Sequence, residues 1–205
     1  LSASMNAADI QPSRAQRAKQ KILDLLAQRN EGVTGLVVYA GDAHVVAPLT
    51  DDRRTIENLL SALTPDIMPL PGSDVTDALG VAVTLLQTAG VANGQVLLIT
   101  DGMPKFQAAD LKNTLSAARV ELAILGVGTR SGAPIPRPDG GFLRNDDGEI
   151  VIPSFEPGVL ASHADALGGR FSEITLDNRD LDRLLRSSST LDLGEIALDR
   201  ETDTW

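Results

Sequence analysis

Three short segments of this chain carry oxygen groups of the kind that hold a hard cation. They are Leu1-Ser2-Ala3-Ser4-Met5, Pro71-Gly72-Ser73-Asp74 and Ile99-Thr100-Asp101-Gly102. Hydroxyl oxygens with little anionic charge suit Mg²⁺, which keeps waters and accepts an incoming carboxylate. Read singly, each segment also has an ordinary meaning. A Ser-x-Ser pair is commonly just solvated, Ser73 can cap the helix it precedes, and Asp-Gly after a strand is a common turn.

Composition removes many other chemistries. The 205 residues include no cysteine and only two histidines, so disulfides, iron–sulfur clusters, thiolate zinc sites, cysteine nucleophiles and multi-histidine metal sites are excluded. His44 and His163 read as surface side chains. Asp51-Asp52 and Asp146-Asp147 read as solvated turn carboxylates rather than an acid–base pair. Gly126-Val127-Gly128 lacks the third glycine and the following helix of a dinucleotide loop, and no Gly-x-Ser-x-Gly elbow occurs. With 18 basic and 28 acidic residues the net charge is −10, which argues against a nucleic-acid surface. The apolar share of 42% is that of a globular domain, and no apolar run approaches the ~18 residues of a membrane span.

The elements that must position these groups alternate. A helix is expected over 13–29, with Ser13 and Gln16 as a capping box and Ala15, Ala18, Ile22, Leu25 and Leu26 on its buried face. Gly35–Tyr39 and Ala43–Pro48 read as a hairpin about Gly41-Asp42. Thr50 is placed to cap a second helix that buries Ile56, Leu59, Leu60 and Leu63, and Pro65, Pro69, Pro71 and Gly72 enforce a loop. A third helix is expected from about Asp74 to Ala89, with Val75, Leu79, Ala82, Leu85 and Leu86 inward. Gln95–Thr100 and Val120–Val127 are unalternating apolar runs, as expected of parallel strands covered on both faces. A weaker helix over 108–118, a helix over 154–167, a strand over 170–174 and a last helix over 181–188 complete the alternation. It predicts a mainly parallel sheet with helices on both faces and a site at the carboxyl ends of the strands, where Asp101 lies. Residues 131–153 break the pattern. Pro134, Pro136 and Pro138 precede a small hairpin of 142–144 and 149–152 about Asn145-Asp146-Asp147-Gly148.

Taken in order, the three segments resemble the metal-ion-dependent adhesion site of von Willebrand factor A domains. That pattern runs Asp-x-Ser-x-Ser, then a threonine in a Gly-rich loop, then an aspartate closing an apolar strand. Ser2 and Ser4 match the serines, Ser73 stands at the threonine position, and Asp101 matches the last aspartate. The run Asp9-Ile10-Gln11-Pro12-Ser13-Arg14 is similar to the bacterial Bat (aerotolerance, BatB-like) group. So is the insertion from Gly126-Val127-Gly128-Thr129 through Gly132-Ala133-Pro134-Ile135-Pro136 and Asp139-Gly140-Gly141-Phe142 to Val151-Ile152-Pro153.

The resemblance implies a three-layer, Rossmann-like α/β fold over 1–188, with 131–153 inserted. It implies a tail over 189–205 leading toward a membrane span. The pattern's leading aspartate would stand immediately before Leu1, and the family's first strand before that, so the resemblance implies weak or absent metal binding by the chain as it stands. It further implies a non-enzymatic binding module of a bacterial inner-membrane protein, on either side of the membrane. Ser2, Ser4, Ser73 and Asp101 would hold Mg²⁺, or Mn²⁺ or Ca²⁺, for a Glu or Asp of a partner protein. A MoxR-type AAA ATPase and a tetratricopeptide protein are the implied partners, and nucleic acid is not. Two other readings stay open: a small Mg²⁺-dependent hydrolase or phosphoryl-transfer enzyme built on Asp101, and a scaffold with no working metal site.

Overall fold

The computed structural model describes residues 1–185 apart from Asn30 and Lys105. Its helices are α1 (Arg14–Gln28), α2 (Arg53–Ala62), α3 (Val75–Thr88), α4 (Ala108–Ala117), α5 (Pro157–Leu167) and α6 (Arg179–Leu185). The strands are β1 (Thr34–Tyr39), β2 (Ala43–Thr50), β3 (Gln95–Thr100), β4 (Glu121–Gly126) and β5 (Arg170–Glu173). The chain is α/β, and the expected hairpin forms as the antiparallel pair β1–β2. Strands β3, β4 and β5 make a parallel sheet in that order.

Strand β4 shows why its sequence does not alternate. Leu122 and Ile124 enter the largest core cluster, with Leu79 and Val83 of α3, Leu111 and Leu115 of α4, and Leu160 of α5. Ala123 and Leu125 face the other way, against Leu25 of α1 and Leu181 and Leu184 of α6. A period of two thus feeds two apolar layers, and every position must be apolar. Helix α2 covers the β1–β2 pair through Ile56 and Leu60.

Several local expectations need correction. Thr50 does not cap α2. It ends β2, and the Asp52 side chain accepts from the amides of Arg54 and Thr55 instead. A carboxylate nearer the helix start wins because it reaches two otherwise unpaired N–H groups at once. Leu59, expected inward, is 36% exposed, since Ile56 and Leu60 already fill the contact with the hairpin. In α3, Val83 is buried and Ala82 only half-buried. Helix α5 begins at Pro157, three residues late, because proline fits the first turn, where no N–H donor is needed. The insertion forms two isolated antiparallel bridges, Pro136↔Phe142 and Arg144↔Ile150, rather than continuous strands. The end of the last expected helix and the tail over 189–205 lie outside the described residues.

Candidate functional site

The three segments meet at the carboxyl ends of β1 and β3. Ser2 precedes a 3₁₀ turn, Ala3–Asn6, which is anchored by the buried Met5 against Ala15 and Ala18 of α1. Ser2 Oγ and Ser4 Oγ lie 2.8 Å apart in a hydrogen bond. Ser73 is delivered by the loop before α3, and that loop is stapled to the end of β1. Gly41 N donates to Leu70 O at 3.0 Å and Asp74 N to Ala40 O at 2.6 Å. The approach needs glycine twice. A Cβ on Gly41 would stand 2.5 Å from the Pro71 carbonyl oxygen, and Gly72 faces it with φ +140°. Asp74, not Ser73, caps α3 by accepting from Asp77 N, which leaves the Ser73 hydroxyl for other work.

Ser2, Tyr39, Ser73, Thr100 and Asp101 line one small cleft of about 10 Å³. That is room for roughly one water molecule or small ion. Ser4 joins the group through its bond to Ser2. Tyr39 ties the edge together: its hydroxyl donates to Thr100 Oγ1 at 2.9 Å. Burial pushes the Tyr39 phenol up to about 12, and the Asp101 charge adds to that, while hydrogen bonds with Thr100 and Ser73 pull the other way. The hydroxyl and carboxylate oxygens around this ion-sized space suit a hard divalent cation, while the Leu1 ammonium, which donates to the Tyr39 carbonyl and faces the Asp101 charge, shares the cleft with them. Among the described residues no group of three or more His, Cys, Asp or Glu side chains could hold a metal. A cation here would therefore rest on hydroxyls and the single carboxylate of Asp101.

Residue spacing alone left Asp9 and Arg14 without a role. The Arg14 side chain is fully buried and donates Nη1 to Asp101 Oδ2 at 2.8 Å. Its Nε and Nη2 hold both oxygens of Asp9 at 2.8 and 2.7 Å, and Nη2 also reaches the Pro153 carbonyl at 2.7 Å. Asp9 Oδ2 in turn accepts from Thr129 N at 2.7 Å and Thr129 Oγ1 at 3.0 Å. Burial opposes the charged form of Asp9, but the bonds from Arg14 and Thr129 and the guanidinium charge outweigh it, so its pKa falls below the usual value. Arg14 is likewise held more firmly protonated by its two carboxylates than burial can undo. A signal was present in the sequence. Positions 14, 18, 21 and 25 share one helix stripe, so Arg14 and Lys21 stand in line with Ala18 and Leu25, and a cation on a buried stripe needs a buried partner.

The remaining singled-out residues sit apart from the cleft. His44 is exposed on β2 and pairs with Asp42. His163, on α5, meets Phe106 edge to face at 4.9 Å. Asp51, Asp146 and Asp147 are exposed.

The profile of the von Willebrand factor type A domain matches residues 1–103. The chain belongs to the von Willebrand factor type A family. Among solved structures, an aerotolerance-related membrane protein of Bacteroides fragilis, crystallised with multiple mutations to serine, is 27% identical. It superposes with a TM-score of 0.82 over 90% of this chain and 92% of that one. The protein BatB of Bacteroides thetaiotaomicron is also 27% identical, with a TM-score of 0.78 over 86% of this chain and 87% of its own. These two likenesses support the Bat-type assignment within the family. The mussel byssus proximal thread matrix protein 1, solved with a zinc-occupied adhesion motif, shares the fold at 17% identity and TM-score 0.57 over 86% of this chain and 41% of that one. An uncharacterized protein of Borreliella burgdorferi is 24% identical over 184 residues, 86% of this chain, and the chain spans about half (52%) of that curated relative. Among the described residues no helix is long and apolar enough to cross a membrane.

Proposed function

We propose that this domain is a non-enzymatic protein-binding module in which Ser2, Ser4, Ser73 and Asp101 hold a Mg²⁺-type cation for a partner's Glu or Asp. The observation that carries the reading is the meeting of three distant segments on one ion-sized cleft with a single carboxylate. A cation bound there supplies an electrophilic position for an outside carboxylate, because so few anionic ligands leave its charge largely uncompensated. The chain's own groups do the rest. Ser2 and Ser4 orient each other, the Gly41–Gly72 contact sets the depth of Ser73, and Tyr39 fixes Thr100 beneath Asp101. Binding rather than catalysis is supported by the surroundings of Asp101, whose carboxylate is already engaged by the buried Arg14 guanidinium at 2.8 Å.

In this reading the domain works in a membrane-anchored bacterial assembly with a MoxR-type AAA ATPase and a tetratricopeptide protein. The likeness to an aerotolerance-related membrane protein and to BatB supports the membrane-anchored, Bat-type part of that setting. The insertion contributes to recognition in this reading. It exposes Phe142 (47%), Ile150 (41%) and Ile152 (52%), and its base touches the Arg14 that holds Asp101. The test is calorimetric titration of the chain with Mg²⁺ and Mn²⁺, repeated with Ser73→Ala and Asp101→Ala. Weak binding that either substitution reduces by about tenfold or more supports the site, since even an outer-shell partner is worth about 10–100-fold in metal affinity. Binding unchanged by both substitutions overturns it. A purified MoxR-type ATPase should be retained by the immobilised chain and released by a chelator.

A further inference from the structure

We infer that Arg14 is the positioning residue of this cleft: one rigid guanidinium holds the Asp101 carboxylate, the Pro153 carbonyl at one root of the 131–153 insertion and, through Asp9, Thr129 at the other, so a change at Asp101 is transmitted to the insertion. The roots converge on Thr129. Its carbonyl accepts from Gly132 N at 3.0 Å, where the insertion leaves, and from Phe155 N at 3.3 Å, where it returns. Thr129 is itself fixed by Asp9, Asp9 by Arg14, and Arg14 also takes the Pro153 carbonyl directly. A guanidinium is planar, so its donors cannot be re-aimed independently. Pulling the Asp101 oxygen away from Nη1 tilts the plane that serves Asp9 and Pro153.

Burial sharpens the link. The Arg14 side chain is 0% exposed, Asp9 2% and Asp101 11%. Solvent therefore does little to screen the trio, and charge drawn from one carboxylate is felt by the other. On the insertion side the guanidinium meets the Asp9 carboxylate, which holds Thr129, and the Pro153 carbonyl, so a shift at Asp101 reaches the loop along both contacts. By linkage, whatever moves the insertion also alters Asp101. The part of this inference that concerns a cation rests on the proposed function above; the Arg14 link itself does not.

The experiment is amide hydrogen exchange on the full 205-residue chain, read at Gly132 and Phe155. Asp101→Asn keeps the shape and removes the charge. It should speed exchange at both amides by about tenfold, the scale of losing one hydrogen bond's net contribution. In an Arg14→Gln background the same substitution should change them by less than about twofold, because the carrier is gone. A merely structural Arg14 would leave the Asp101→Asn effect undiminished, and that result, or no effect in the parent, overturns the inference. Should Arg14→Gln not fold, Arg14→Lys gives the same comparison, since one ammonium cannot span Asp101, Asp9 and Pro153 together. Added Mg²⁺ should also change exchange at the two amides in the parent chain and not in either Arg14 variant. If calorimetry shows no Mg²⁺ binding, the cation-site reading fails while the Asp101→Asn comparison still decides the link.

Discussion

Tyr39 is the chain's only tyrosine, which makes its environment directly measurable. Burial raises its pKa to about 12, so the neutral phenol is favoured in the folded state. Its contribution to stability is whole below the unfolded value of about 10 and is lost as pH rises from there through the folded value. The phenolate absorption band of the native chain should therefore titrate near 12 rather than 10, unless alkaline unfolding comes first, and Tyr39→Phe should flatten the alkaline fall in stability. Asp9 has the opposite sign. Its folded pKa is depressed, so its contribution is present above about pH 4 and is lost as pH falls through the folded value. Acid unfolding followed by circular dichroism should be less steep for Asp9→Asn than for the parent. Removing the cation itself is harsher. Arg14→Ala strands two carboxylates in a buried site and should cost about 3–5 kcal/mol in a denaturant titration.

At the scale of elements, α1 acts as a strut with two buried cations on one stripe. Arg14 serves the cleft, and Lys21 reaches Asp180 at 2.8 Å and the Asp177 carbonyl, fastening α6. Asp180 also accepts from Thr175 N and Leu181 N, so its charge is satisfied on several sides. Lys21→Met should destabilise by about 3–5 kcal/mol, because the carboxylate stays buried without its counter-ion. The double variant with Asp180→Leu should cost less than the sum of the two singles, a coupling that thermal melts will show. The Ser73 loop depends on a different device, contact between backbones. Gly41→Ala puts a methyl into the Pro71 carbonyl and should cost about 1–3 kcal/mol while displacing Ser73. Calorimetry of this variant should show weaker cation binding alongside the lowered melting temperature.

At the scale of the whole molecule, the helices divide between two faces. Helices α3, α4 and α5 bury the largest cluster, and α1 and α6 cover the opposite face of the parallel sheet. This leaves the carboxyl edge free for loops, which is where α/β sheets gather ligands. The insertion stands on that edge and is seated by Ile135, which is 4% exposed, and by the Pro153 carbonyl on Arg14. Replacing 133–152 by a short Gly-Ser linker should preserve one cooperative melt, because the clusters beneath the sheet are untouched. The melting temperature should fall, through loss of the buried Ile135, and binding to the proposed ATPase should weaken. Loss of cooperative folding would show that the insertion is structural. Full binding without it would remove its recognition role.

The sequence by itself determined the layers of this protein. Apolar periodicity is local, so the helical stripe of α1, the hairpin about Gly41-Asp42 and the two-sided burial of β4 could be read along the chain. The order of hydroxyl segments and the closing Asp101 was legible for the same reason: a motif survives as spacing. Only the tertiary structure decided which side chains share charge. Arg14 lies 87 residues from Asp101 and 139 from Pro153 along the chain, and nothing in the local pattern says which carboxylate a buried cation will find. Cap choice was settled by the fold too: Thr50 and Ser73 are the caps expected from the sequence, and Asp52 and Asp74 take the amides instead, because neighbouring polar groups compete over distances of an ångström. Spacing in sequence names the candidates, and packing chooses among them, since a hydrogen bond or ion pair depends on positions that only the folded core holds still.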